Sequence, residues 1–112
     1  MTYSTSSMID ELAIAHPAVK EMLAEHLDDN YGELLPHVFF GDMVRWVERD
    51  APADEIARVL AELDTCFTNG DEEVQNVILV SFVEALGYRS PFLALLGPAL
   101  SATEIAKILR GA

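Results

Sequence analysis

The side chains able to support acid–base, nucleophilic or metal chemistry are three histidines, one cysteine and nineteen carboxylates. No two of His16, His26 and His37 are four residues apart, and there is no H-E-x-x-H motif or Cys/His cluster. The sequence therefore predicts no metal ion, no cofactor and no catalytic residue. Cys66 has no base in its local sequence, which indicates a buried and inert thiol.

One combination of residues leaves a small enzyme as an alternative. His37, Asp42 and Glu84 could supply a base and acids, but no spacing in the sequence requires the three to meet. Glu84 is unusual because it lies in a mostly apolar helix, where a carboxylate needs either a partner or water. Its options are Arg45, Arg89 and solvent, and a structural ion pair is favoured over catalysis.

The acidic residues outnumber the basic ones by nineteen to seven, which gives a formal net charge of −12. A magnitude of about 2 to 8 is enough to keep a small domain soluble. A field of this sign repels nucleic acid and anionic lipid and attracts basic proteins. The composition favours a basic protein partner without direct binding to nucleic acid or membranes, and general solubility is the alternative.

The acids of the second predicted helix are the ones that folding stability explains least. Glu21, Glu25, Asp28 and Asp29 share the side opposite its apolar stripe, and Lys20 is the only local base. Glu25 is four residues from Glu21 and from Asp29, and such like-charge pairs destabilise a helix by about 0.2–0.5 kcal/mol each. Asp28 and Asp29 also lie at the helix C-terminus, where the dipole prefers cations. Acids that weaken a helix without visibly stabilising the fold elsewhere indicate a functional surface.

Asp42 and Arg45 extend this surface onto the third predicted helix. They form an i,i+3 pair next to Trp46, and Trp and Arg dominate binding hot spots. Trp46 also shares an apolar face with Phe39 and Met43, so it is predicted to lie in the core. The predicted partner-binding residues are Glu21, Glu25, Asp28, Asp29, Asp42 and Arg45.

The elements that position these residues are helices. Apolar residues recur every three or four positions, and strict alternation never lasts long enough for a strand. We predict an all-α fold with about six or seven short helices, in a single compact domain over residues 8–112. Residues 1–7 are predicted to be a flexible polar tail. The helices could form an irregular bundle or a short right-handed superhelix of helix hairpins.

The stretch over residues 72–86 is predicted to be the central helix, ended by Gly87. It is apolar on nearly every side of a helical wheel, so other elements or a second copy must surround it. Leu79, Val80 and Val83 are predicted to lack sufficient cover within the chain. A homodimer is therefore an alternative.

Targeting signals and membrane spans are not expected. The first seven residues lack the basic and apolar regions of a secretory signal, and no apolar run reaches the roughly 20 residues of a membrane span. A single cysteine excludes an internal disulfide. These features favour a cytoplasmic protein.

Four short motifs between residues 32 and 96 carry a resemblance. They are Gly-Glu-Leu-Leu-Pro-His at 32–37, Gly-Asp at 41–42, Arg-Trp at 45–46 and Ser-Phe-Val-Glu at 81–84. The segment resembles a family of small, acidic, all-helical bacterial proteins, similar in character to the immunity proteins of contact-dependent and polymorphic toxin systems. The resemblance implies a cytoplasmic protein that neutralises its cognate toxin by direct binding and has no catalysis of its own.

Three hypotheses from different classes follow. The first is an acidic interaction protein, most concretely an immunity protein that binds a basic toxin domain such as a nuclease, with a DNA-mimicking inhibitor as a variant. The second is a self-associating structural or regulatory helical protein. The third is the small enzyme, for which the sequence offers the least support.

Overall fold

Prolines and small polar residues divide the chain into helices in the computed structural model, which describes residues 4–111. The helices are α1 (Thr5–Ala15), α2 (Pro17–Asp29), α3 (Pro36–Arg49), α4 (Ala53–Asn69), α5 (Glu72–Ile78), α6 (Glu84–Leu86), α7 (Pro98–Ser101) and α8 (Glu104–Leu109). A π-helical turn (Leu79–Val83) joins α5 to α6, and a 3-10 helix (Pro91–Leu95) precedes α7. Within the described residues no strand is present, and the predicted all-α fold is confirmed.

The first helix begins earlier than the sequence predicts. The hydroxyl of Ser4 caps it by accepting the Ser7 N–H at 3.2 Å. Thr5 is buried and donates to Oε1 of Glu73 in α5 at 3.1 Å. Residues 5–7 therefore belong to α1 and not to the predicted tail, because Thr5 gains a distant partner that the local sequence does not reveal. The tail prediction for residues 1–3 lies outside the described residues.

The core surrounds the central segment formed by α5, the π-turn and α6. Val77, Ile78 and Phe82 are almost completely buried and Leu86 nearly so, which confirms their predicted place in the core. Helices α1, α3 and α4 pack against α5, and α8 packs against the π-turn and α6. Because the central segment is enclosed by helices distant in sequence, the arrangement is an irregular bundle and not a linear superhelix.

The central segment is not one regular α-helix. The N–H of Glu84 donates to the carbonyl of Leu79 five residues earlier, which is the spacing of a π-turn. The wider turn changes the helical phase, and Phe82 and Val83 both lie in the core. Of the three residues predicted to lack cover, Val83 is fully buried, Leu79 is half-buried and Val80 is 44% exposed.

Asp64 of α4 caps α7 from another part of the chain. Its carboxylate accepts the N–H of Leu100 at 2.8 Å and the N–H of Ala99 at 3.3 Å. A Cβ atom at Gly97 would lie only 2.4–2.8 Å from the side chain of Asp64, so glycine is required for this approach. A helix of four residues thus depends on a side chain 36 positions away from Leu100.

The last helix begins after a tight turn that follows α7. Thr103 is the N-cap of α8, and its hydroxyl accepts the N–H of Ala106 at 3.3 Å. Ser101, two residues earlier, ends α7 and donates to the carbonyl of Leu96 at 3.1 Å. Of these two neighbouring hydroxyl residues, the turn after α7 thus makes Thr103 the cap of α8.

Replacing Phe82 tests the central position of this segment. Phe82→Ala should lower the free energy of unfolding by about 3 to 5 kcal/mol, because it leaves a cavity in a close-packed core. Urea denaturation measures the loss, and Val80→Ala is the control, expected to cost less than about 1 kcal/mol. A loss below about 1 kcal/mol for Phe82→Ala would contradict the central role of this helix.

The Asp64 cap can be tested with a double-mutant cycle. Gly97→Ala should destabilise the protein by about 1–3 kcal/mol, because the added methyl group displaces Asp64 and leaves the amides of α7 unpaired. Asp64→Ala removes the same cap, so the double variant should lose clearly less than the sum of the two single losses. Additive losses in urea denaturation would mean that Gly97 and Asp64 act independently.

Candidate functional site

An open cleft of about 400 Å³ lies between α2 and α3. It is lined by Met22, Glu25, His26, Asp29, Asp42, Arg45, Trp46, Arg49 and Asp50. Four carboxylates and two guanidinium groups face it, so the cleft carries a net negative charge. Its two walls come from helices that the Tyr31–Gly32 turn brings back against each other.

The cleft brings together four of the six predicted partner-binding residues: Glu25, Asp29, Asp42 and Arg45. Glu21 lies one turn before Glu25 on α2 and lines a shallow depression instead. Asp28 is exposed but does not line the cleft. The Asp42–Arg45 pair forms as predicted, with the Arg45 guanidinium donating to Oδ1 of Asp42.

A buried histidine forms the floor of the cleft. His26 is 2% exposed, and its Nε2 accepts the N–H of Leu35 at 3.0 Å. A neutral imidazole that accepts at Nε2 carries its proton on Nδ1. This Nδ1 lies 3.9 Å from Oδ2 of Asp42, the carboxylate that Arg45 contacts through Oδ1. Asp42 is thus bonded to Arg45 through one oxygen, while its other oxygen lies near the His26 ring without a hydrogen bond to it.

The sequence contains a signal for the structural role of His26, beyond its interpretation as a possible metal or acid–base residue. Its position continues the apolar stripe of α2 at helical spacing, a stripe that comprises Val19, Met22, Leu23 and Leu27. The ring packs edge-on against Phe39 of α3, with 5.7 Å between centroids. A histidine on such a stripe is expected to be buried with its nitrogens paired.

Trp46 lies at the cleft and not fully in the core. It is half-buried, packs on the core with one side and lines the cleft with another. The prediction of core burial was therefore too strong. The indole is large enough to span from core to surface, which is why tryptophan is rarely enclosed completely.

The other two histidines belong to separate contacts. Nε2 of His16 lies 3.0 Å from Oε2 of Glu62, which ties the α1–α2 junction to α4. Nδ1 of His37 is hydrogen-bonded to the hydroxyl of Ser81 on the π-turn. The π-turn therefore presents the Ser81 hydroxyl to α3.

The residues of the enzyme alternative are not joined to one another. Among residues 4–111, no hydrogen bond or ion pair connects His37, Asp42 and Glu84. Glu84 is exposed, and in the same range it pairs with neither Arg45 nor Arg89. Of the three options for this carboxylate, the structure selects solvent.

Across positions 4–111, no group of three or more His, Cys, Asp or Glu side chains is arranged to hold a metal ion. Over the same positions, no helix has both the length and the apolar character needed to cross a membrane.

Comparison with known proteins assigns the chain to a family. The model of a domain of unknown function, DUF7674, matches residues 9–109, and the chain belongs to this family. No curated protein matches the chain. No solved structure matches it either.

Cys66 gives a pH-dependent prediction. Burial, and then the charges of Glu62 and Glu11, raise the pKa of the Cys66 thiol from 9.0 to about 11. Above pH 9 the thiol of the unfolded chain loses its proton before the thiol of the folded chain does. The protonated thiol therefore makes its full contribution to the free energy of unfolding below pH 9, and this contribution is lost as the pH rises through 11. Urea denaturation between pH 8 and pH 11 should show a smaller decline in stability for Cys66→Ala than for the parent. Parallel declines would contradict the raised pKa.

Proposed function

We propose that this member of the DUF7674 family is an acidic protein-binding module whose partner is a basic protein. The observation that carries the proposal is the cleft between α2 and α3, where four carboxylates and two arginines surround an opening to solvent. The carboxylates are Glu25, Asp29, Asp42 and Asp50. A negative cleft on a chain of net charge −12 steers basic proteins towards itself.

Folding stability does not account for the carboxylates of α2. Glu25 and Asp29 are exposed, and neither forms an ion pair within the described part of the chain. Other acids have clear structural roles: Asp71 caps α5 through the N–H of Val74 at 2.8 Å, and Asp64 caps α7. This contrast supports a role in binding for the α2 carboxylates.

The cleft offers apolar surface beside its charge. Trp46 and Met22 line it together with the acids. A lysine or arginine from a partner could pair with Glu25 or Asp29 while its aliphatic stem packs against these apolar walls. The charge of Asp42 is already matched by Arg45, so the α2 carboxylates supply most of the attraction.

The most concrete form of this proposal is an immunity protein that neutralises a toxin domain by direct binding. The net charge, the acidic cleft and the motif resemblance at residues 32–96 support it. If the toxin is a nuclease, the acids would cover the basic surface that otherwise holds phosphates. A DNA-mimicking inhibitor rests on the same charge argument. In both forms the chain acts by binding in the cytoplasm and has no catalytic step.

Self-association is the second candidate function, and one observation favours it. Val38 on α3 and Val80 on the π-turn are 49% and 44% exposed, and these two elements pack against each other. A small apolar area of this kind could contribute to a homodimer interface. Sedimentation at high micromolar concentration tests it, and a monomer there would remove this candidate.

Charge reversal on α2 separates binding from folding. Glu25→Lys/Asp29→Lys should leave the free energy of unfolding unchanged or slightly raised, because it removes like-charge repulsion and suits the helix dipole. Binding of a hexa-arginine peptide, followed by Trp46 fluorescence and NMR at low salt, should weaken at least tenfold. Added salt should weaken the binding of the parent as well.

The matched control is Asp10→Lys/Glu84→Lys, which has the same net charge but changes exposed acids outside the cleft. It should lose much less affinity than the α2 variant. If both double variants bind the peptide equally, the cleft is not a specific site and its acids only aid solubility.

The immunity form has its own test, which begins with the gene next to this one. A neighbouring secreted protein with a toxic C-terminal domain is expected to arrest growth when that domain is expressed alone. Co-expression of this chain should restore growth, and the Glu25→Lys/Asp29→Lys variant should not. Growth arrest that this chain does not relieve would refute the immunity form while leaving the binding proposal open to the peptide experiment.

A further inference from the structure

Tyr31 is held in an unfavourable backbone conformation with its side chain in solvent. Its φ angle is +57°, a value that favours glycine and asparagine over other residues. Its relative exposure is 102%, the largest of any described large hydrophobic residue. The ring therefore contributes no burial that could offset the backbone strain.

The position of Tyr31 explains its conformation but not its residue type. The N–H of Gly32 donates to the carbonyl of Leu27 at 2.7 Å, a bond of the Schellman motif that ends α2. Tyr31 thus occupies the position at which helices most often place glycine. Folding alone would favour glycine here, so a tyrosine breaks a local rule without structural gain.

The turn that carries Tyr31 is firmly attached to the floor of the cleft. The side-chain amide of Asn30 donates to the carbonyl of His26 at 2.7 Å, and the N–H of Glu33 donates to the carbonyl of Asn30 at 3.0 Å. His26 in turn accepts the N–H of Leu35. These bonds hold the strained residue in place and present its ring with little backbone freedom, as a pre-organised contact requires.

The charges around Tyr31 define which group would fit its ring. Asp28 and Asp29 precede it, Glu33 follows it, and all three are exposed. A planar cation can stack on an aromatic ring while it pairs with neighbouring carboxylates, and arginine does this better than lysine. Tyr88 already has such a contact inside the molecule, with the Arg89 guanidinium carbon 5.4 Å from its ring centroid.

We infer that Tyr31, in the segment that joins α2 to α3, is an aromatic anchor that stacks on an arginine side chain of the basic partner. This inference rests on the proposed function and adds to it the kind of side chain that is recognised. The acids attract any cation at long range, whereas the ring favours guanidinium over ammonium at contact.

The test compares hexa-arginine and hexa-lysine peptides on the full chain and on Tyr31→Gly. The parent should bind the arginine peptide more tightly than the lysine peptide. Tyr31→Gly should raise Tm by a few degrees, because the strain is relieved. The same variant should weaken hexa-arginine binding about three- to fivefold and reduce the preference for arginine. Tyr31→Phe should retain binding, and Tyr88→Ala is the control for an exposed aromatic elsewhere.

The outcomes separate this inference from the proposed function. If Tyr31→Gly binds like the parent while Glu25→Lys/Asp29→Lys loses binding, the anchor is refuted and the binding cleft stands. If the parent binds neither peptide, or the double reversal binds like its charge-matched control, the proposed function fails and the anchor fails with it. A fall in Tm for Tyr31→Gly together with weaker binding would make Tyr31 a structural residue and overturn the inference.

Discussion

Burial of the central segment is the constraint on which the rest of the structure depends. A helix that is apolar on nearly all sides is stable in water only when other elements enclose it. Helices α1, α3 and α4 supply that cover for α5, while α8 packs against the π-turn and α6. The π-turn at Leu79–Val83 contributes to this burial. It shifts the direction of the following side chains along the helix, and both Phe82 and Val83 lie in the core. Little apolar surface from this segment then remains for other uses.

Because other helices enclose the central segment, α2 lies at the edge of the bundle, where its outer face is free to carry charge. Its contacts run to α1 on one side and α3 on the other. His26 lies between the core side of α2, where its ring packs on Phe39, and the cleft side, where its ring lies near Asp42. A buried polar residue on an apolar stripe thus holds the turn between the two helices that form the cleft.

Three features that weaken folding occur together on α2 and in the turn that follows it. They are like charges at i,i+4 spacing, aspartates at the negative end of the helix dipole, and a tyrosine with a positive φ angle. Each costs little by itself, and the enclosed core provides the stability that tolerates them. Their concentration between Glu21 and Tyr31, and the structural roles of Asp64 and Asp71 elsewhere, are the physical basis for a functional interpretation of this surface.

Local sequence determined the all-α class, the helix boundaries set by prolines, the buried residues of the central segment and the acidic face of α2. These features depend on periodicity, capping and charge spacing, which act within a few residues. It did not determine the start of α1, the π-turn or the partner of Ser81, since these depend on Glu73, on core packing and on His37. The cleft likewise required tertiary structure. Asp29 and Asp42 line the same cleft only because the Asn30–Leu35 turn folds α3 back onto α2. Hydrogen bonds to the buried His26 hold that turn. Contacts between residues distant in sequence have no local periodicity, so only the folded chain could bring them together.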